Sequence, residues 1–297
     1  MPQTYCAVLP KGKRQGTIMQ EDLIRLSRRY PQLLFPIRAG MRQTEAYKNA
    51  VLGGELPDAE PDFRCPAEIR CQTADTPAGR AEIVYLGDRE DFLHAYQALA
   101  YRCEPTVIPD SVGAVTIGGL INWEKIRAHE AEYRAGGGED WDAEFARFTA
   151  EKKNYRDSVI LLSGGNYSNV PAEEIGLDPA AWKEKSFLIR KFHELTHFTC
   201  RGLYPEDIDA LRDEVIADSI GLVAAFGTCD TALARRFLGV EGGVFHAGGR
   251  LSHYAGAEEL PAAVERVNTL IDDYAARIEK AWAPGMDVFA LLLKIFP

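Results

Sequence analysis

His193 and His197 stand four residues apart, with Glu194 beside the first, in the run His193-Glu194-Leu195-Thr196-His197. On a helix, side chains at i and i+4 project from one face about one turn (~6 Å) apart. Two imidazoles so placed can share one tetrahedral Zn²⁺, and the carboxylate between them is close enough to take a proton from a water held there. The chemistry implied is metal-assisted hydrolysis, provided that the segment is helical and that a third ligand comes from elsewhere.

The surrounding sequence speaks to both conditions. Asp178-Pro179 is a cap followed by a first-turn proline, and the pattern then runs without a breaker to Cys200, with Gly202 as the expected stop. Leu188, Phe192, Leu195 and Phe198 recur at helical spacing and give this helix a core face. The next run, Asp207 to Phe226, opens at Pro205-Glu206-Asp207 and closes at Gly227. Ile208, Leu211, Val215 and Leu222 form its apolar stripe, and Glu214, Asp218 and Gly221 lie on a neighbouring one. Glu214 is roughly 13 Å into its helix and His197 about 5 Å from the end of its own. Folded back antiparallel, the pair brings Glu214 to the level of His193, which makes Glu214 the candidate third ligand.

His193-Glu-Leu-Thr-His197 followed by Glu214-Val-Ile-Ala-Asp218-Ser-Ile-Gly221 resembles the gluzincin clan of zinc metallopeptidases, whose second helix carries Glu-x-x-x-Asp, often with a glycine one turn later. The resemblance covers roughly residues 158 to 227. It implies that His193, His197 and Glu214 bind zinc, that Glu194 is the general base, and that Asp218 orients a ligand histidine. The implied activity is zinc-dependent hydrolysis of peptide bonds in a peptide or protein substrate. Asp213 stands where thermolysin-like members have Asn, so their peptide specificity does not carry over. Cys200 and Leu203 replace the Gly and His of the metzincin extension. A reading from a different class keeps the zinc site in a scaffold or regulatory protein that binds a partner without proteolysis.

Two further stretches bear on the site. Gly227-Thr228-Cys229-Asp230 resembles the Gly-Thr-x-Asp of the aspzincins, whose aspartate is the third ligand, but Leu233 and Ala234 stand where an aromatic residue and Gly would follow. Asp230 also reads as a helix N-cap. His246, His253 and Tyr254 flank a glycine-rich loop, and each is a candidate donor to the oxyanion of acyl transfer.

The elements that must position these residues read as an α+β, zincin-like fold: a small mixed sheet with an active-site helix and a helix-rich C-terminal half. Residues 1–157 are expected to form an N-terminal α+β region packed on a catalytic region, 158–297. Strands are expected at Ala81 to Leu86 and Ser158 to Ser163, short strands and turns from Val107 to Ile121, and a long surface loop over 55–80. Either the strand at 158–163 or the one near 115 is expected to be an edge able to pair with an extended peptide. In the second half, helices are expected over Asp230 to Leu238, Pro261 to Trp282 and Met286 to Phe296.

With 44 acidic against 34 basic residues among 297, the formal charge of −10 opposes non-specific binding to nucleic acid or anionic lipid. No run approaches the ~20 apolar residues of a membrane span, and Met1 to Gly16 lacks the apolar core of a signal peptide. Six cysteines without a Cys-x-x-Cys pair suit reduced thiols, and with the preceding points lead to the expectation of a cytoplasmic enzyme.

Overall fold

The computed structural model describes residues 15–206 and 209–296, with side chains from Asp22 onward. The expectations for residues 1–14 and the placements of Asp207 and Ile208 fall outside these. In chain order the elements are α1 (Gln15–Arg29), α2 (Glu45–Gly53), β1 (Ile69–Thr76), β2 (Gly79–Leu86), α3 (Arg89–Ala100), β3 (Ala114–Ile121), α4 (Trp123–Ala135), α5 (Trp141–Thr149), α6 (Lys152–Tyr155) and β4 (Arg156–Ser163). They continue with α7 (Ala172–Ile175), α8 (Pro179–Leu203), α9 (Ala210–Phe226), α10 (Thr231–Leu238), the two-residue strands β5 (Val240–Glu241) and β6 (Val244–Phe245), α11 (Leu260–Ala281) and α12 (Val288–Ile295). The protein is mixed α+β, with a four-stranded sheet and a two-stranded one.

The main sheet has the order β1-β2-β4-β3. β2 and β4 are parallel, and the two outer pairings are antiparallel. Val159, Ile160, Leu161 and Leu162 of β4 are all buried, because both faces of this central strand are covered. Alternate residues serve different cores. Val159 and Leu161 join Ile69, Val84, Leu86 and Ile117 in a cluster with α1, α2 and α3, while Ile160 and Leu162 join Ala81, Ile83 and Leu195 of α8. A third cluster is built by α8 to α12. The boundary expected at 157/158 falls inside β4, so the two regions share one sheet.

Several expectations are corrected by this topology. The stretch 55–80 is not loop throughout, since β1 occupies its second half and pairs with β2 from Ile69↔Leu86 to Thr76↔Gly79. Of the residues of β1 only Ile69 is buried, so this outer strand carries little apolar alternation and is held by its main-chain ladder. Of the two candidate edge strands, 158–163 is central and cannot pair with a further chain. The other, β3, is the edge, and it is one strand bent by an irregularity between Ile117 and Leu120, where Gly119 adopts φ +74°. The stretch between α4 and β4 forms two short helices, α5 and α6.

The helix pair at the centre forms for local reasons. Asp178 accepts hydrogen bonds from the amides of Ala180 and Ala181 at the start of α8, and Asp209 caps α9 through Leu211 and Arg212. Gly227, at φ +75°, ends α9. Gly202 does not end α8 but lies within it. A Cβ there would sit 2.7 Å from Cβ of Ala78, so the missing side chain admits the β1–β2 turn.

Gly221 has the corresponding role between the two helices, because a Cβ at this position would stand 2.8 Å from the backbone oxygen of Ile189. That neighbour is main chain and cannot rotate away. Gly221→Ala is therefore expected to push α9 from α8 and to cost about 1–3 kcal/mol in stability. Urea unfolding measures this, and an unchanged midpoint would show that the contact does not constrain the pair.

Candidate metal centre

The antiparallel packing of α8 and α9 places His193, His197 and Glu214 together, with all three buried. Among the described residues they form the one group of three possible ligands, with ligand atoms within 4.8 Å of one another. His193 Nε2 and His197 Nε2 are 3.0 Å apart. Glu214 brings Oε1 to 3.1 Å from His197 Nε2 and Oε2 to 3.7 Å from His193 Nε2. Glu214 Oε2 has no hydrogen-bond partner although it is buried. Lone pairs converging on one point, with an orphaned carboxylate oxygen among them, fit a bound cation.

Each imidazole is held from behind by a carboxylate of α9. His193 Nδ1 lies 2.9 Å from Asp218 Oδ1, and His197 Nδ1 lies 2.9 Å from Asp213 Oδ2 in a close but poorly aligned contact. These contacts favour a proton on Nδ1 and leave Nε2 as the ligand atom. The two aspartates are in turn ion-paired. Arg201 NH2 reaches Asp213 at 2.8 Å, and Arg250 pairs with Asp218 and lies 3.6 Å from Glu214. Tyr167 donates its hydroxyl to Asp218 at 2.6 Å and sits 2.9 Å from His193 Nδ1.

The charges explain the titration behaviour. Burial works against a charged His197, but Asp213 and Glu214 outweigh it and push the imidazole up to about 10 when no metal is present. Glu214 is also desolvated, yet His193, His197 and Arg250 hold its carboxyl well below the usual range. Asp213 and Asp218 are lowered too, against their own burial, by His197 and by Arg250 respectively. Burial and then Glu214 raise the Tyr254 phenol, which stays protonated at neutral pH.

Glu194, the carboxylate between the histidines, is not among the ligand group. It accepts a hydrogen bond of 2.7 Å from the hydroxyl of Thr116 on β3 and opens into a cavity of about 240 Å³. The same cavity is lined by His193, His197 and Glu214, by the start of β3, and by His253 and Tyr254. His246 is elsewhere: it is exposed, and its Nε2 is 3.4 Å from the backbone oxygen of Glu241. Asp230 is also elsewhere, since it caps α10 by accepting from the amides of Ala232 and Leu233. A larger cleft of about 930 Å³ lies near the N-terminal ends of β2 and β4, and among its half-buried charges Arg29 is matched with Glu82 and Lys125 with Asp157.

A family model matches residues 15–285 and therefore the greater part of the chain. The protein belongs to a family of unknown function, DUF7005. No curated protein and no solved structure matches the chain. The match spans the whole helix pair as well as β1 to β4, so the sheet and the candidate centre lie within one family unit.

Sequence reasoning did not find Tyr167, Arg250 or Thr116, and it took Asp213 only as a departure from a related pattern. Asp213 was legible in principle. It precedes Glu214 on the same helix, at the level of His197, just as Asp218 follows Glu214 at the level of His193.

Two measurements test the centre. Glu214→Ala is expected to reduce zinc occupancy severely, and Asp230→Ala to leave it intact while costing about 0.5–2 kcal/mol as a lost cap. Zinc retained without Glu214 but lost without Asp230 would transfer the third ligand to Asp230. The second measurement is pH dependence. A raised pKa keeps His197 protonated below about 10, and binding requires its neutral Nε2, so metal must displace that proton. Apparent zinc affinity is expected to rise with pH by up to ~tenfold per unit through neutrality and to level off near pH 10. Competition with a chromophoric chelator at several pH values would reveal a flat profile if His197 is not a ligand.

Proposed function

We propose that this protein is a zinc metallopeptidase of gluzincin type, with His193, His197 and Glu214 holding the metal and Glu194 as general base. The carrying observation is the position of Glu194. It is one residue from a candidate ligand, excluded from the ligand group, and open to the same cavity. A centre serving structure alone would more usually be closed by four protein ligands. The zincin-like reading of the fold is supported by the helix pair and by an edge strand bordering the cavity, and it remains part of this proposal.

A zinc ion bound here would supply Lewis acidity, lowering the pKa of water and polarising a carbonyl oxygen. Thr116 holds Glu194 Oε2, which leaves Oε1 to accept the proton of the attacking water and pass it to the leaving amine. Tyr254 is a protonated donor at the cavity wall, and His253 is a second, more exposed one; either can stabilise the oxyanion. The free edge of β3 offers main-chain groups to an extended peptide, recognised largely without regard to its sequence. Asp218, Arg250 and Tyr167 act on His193 and keep its Nδ1 side occupied.

Among the described residues no helix is long and apolar enough to cross a membrane. A cytoplasmic location is proposed from the unpaired cysteine pattern and the acidic charge.

Glu194→Gln is expected to retain zinc while lowering peptide hydrolysis by a factor on the order of a hundred or more. A peptide-cleavage screen with metal analysis on the same samples checks both halves. If the variant cleaves as fast as the parent, Glu194 is not the base. A parent that holds zinc fully yet cleaves nothing would move the assignment to the partner-binding scaffold.

A further inference from the structure

The larger cleft, of about 930 Å³, opens where two neighbouring strands part. The parallel pairing of β2 with β4 begins at Glu82↔Val159, yet both strands start earlier, at Gly79 and at Arg156. Over 79–81 and 156–158, β2 stays paired with β1 and β4 with β3, but the inner edges do not pair with one another. The gap connects the two faces of the sheet. Leu26 and Cys71, which pack in the cluster on the α1 side, and Phe198, which packs on the α8 side, supply its apolar lining.

The lining is cationic in an acidic protein. Across the chain Asp and Glu outnumber Lys and Arg by 44 to 34, whereas seven Lys or Arg and three Asp or Glu line this cleft. Two of those three acids are already neutralised, Glu82 by Arg29 and Asp157 by Lys125. Arg25, Arg80 and Lys153 are exposed cations whose ion pairs, with Glu124, Asp75 and Glu151, cost little to exchange for a ligand. Arg156 and Lys152 have no carboxylate partner among the described residues. Arg156 donates to the backbone oxygen of Gly119 and to the Tyr155 hydroxyl, and Lys152 is exposed. Charges of one sign gathered in a concave site reinforce one another's field and attract an anion.

We infer that this cleft is a second binding site, for a small molecule bearing a polyphosphate group, either inorganic or carried on an organic body. Ammonium and guanidinium groups on long side chains converge from several directions, on β2, α6 and β4, and a polyphosphate presents charged oxygens over a matching spread. One carboxylate would engage only one or two of them. The apolar lining at Leu26, Cys71 and Phe198 suits an organic body, and the volume falls in the range of small-molecule sites, roughly 300–1,000 Å³. The two cavities share no lining residue, so this site stands whether or not the protein is a peptidase.

The test is isothermal titration of the purified full chain with inorganic tripolyphosphate, a nucleoside triphosphate and the uncharged nucleoside. Salt is held at about 0.15 M, where diffuse attraction between exposed charges is screened. Both triphosphates are expected to bind, and the nucleoside to bind at least ~tenfold more weakly. Tighter binding of the nucleotide than of tripolyphosphate would place the organic body on the apolar lining, and equal binding would confine recognition to the phosphates. Lys152→Glu combined with Arg156→Gln is expected to weaken both triphosphates about tenfold or more. Should that variant fail to fold, Lys152→Glu with Lys153→Glu changes exposed side chains only and is expected to act in the same direction. Glu214→Ala, which alters the other cavity, is expected to leave the affinity unchanged, and this separates the cleft from capture of phosphate by a bound metal.

No binding of either triphosphate, a nucleoside bound as tightly as its triphosphate, or an affinity untouched by the substitutions at 152, 153 and 156 would overturn the assignment. So would binding that is lost in Glu214→Ala and kept in the cleft variants, since the phosphate would then sit at the metal centre.

Discussion

The burial of four carboxylates around two imidazoles is the constraint on which the rest of the site depends. Glu194, Asp213, Glu214 and Asp218 are all buried on a single helix pair, where unpaired charge is expensive. Each is met by a specific partner: Thr116 for Glu194, Arg201 and His197 for Asp213, Arg250, Tyr167 and His193 for Asp218. Glu214 is met by His197 through Oε1 and has Arg250 at 3.6 Å, while its Oε2, 3.7 Å from His193 Nε2, has no hydrogen-bond partner. The orphaned oxygen and the two converging Nε2 atoms make a group that could hold a cation, whatever family resemblance is invoked.

The same constraint sets the mechanical requirements. Ligand atoms must be held within a few tenths of an ångström, and rigid elements do this better than loops. α8 is fixed on one side by the sheet, through Leu195 against Ile83, Ile160 and Leu162. On the other side it is fixed by α9, at a distance set by Gly221 against Ile189. Because β4 is covered on both faces, the strand it carries at its outer side, β3, is placed firmly beside α8. Thr116 then reaches Glu194 from the sheet face that packs on α8. Arg250 arrives from the segment after β6, so the C-terminal half closes the site that the helix pair begins.

The cavity this produces is electrically uneven. Two arginines serve aspartates behind the histidines, and a third has no anion among the described residues. That third, Arg190, donates to the backbone oxygens of Ser163 and Asn166 and lies over the Tyr167 ring, so it ties the end of β4 to the turn that follows.

How much of this was legible in the sequence varies with the range of the interaction. The amino-acid sequence by itself determined the two central helices, the start of the first, the end of the second and the His193–His197 spacing, because i to i+4 geometry, Asp178 before Pro179, and Gly227 after Phe226 are local features; the end of the first at Leu203 and the Asp209 cap of the second were not read from it. It also limited the candidates for a third ligand to Glu214 and Asp230, and the capping geometry agrees with the N-cap reading of Asp230. Tyr167, Arg250 and Thr116 reach the site across 26, 32 and 78 residues, and no periodicity carries information over such separations. β1 was invisible for a related reason: an outer strand held by backbone pairing needs little apolar alternation. Which strand forms the edge depended on the order of the sheet. Local chemistry is written into neighbouring residues, whereas the partners of a buried charge are chosen by packing.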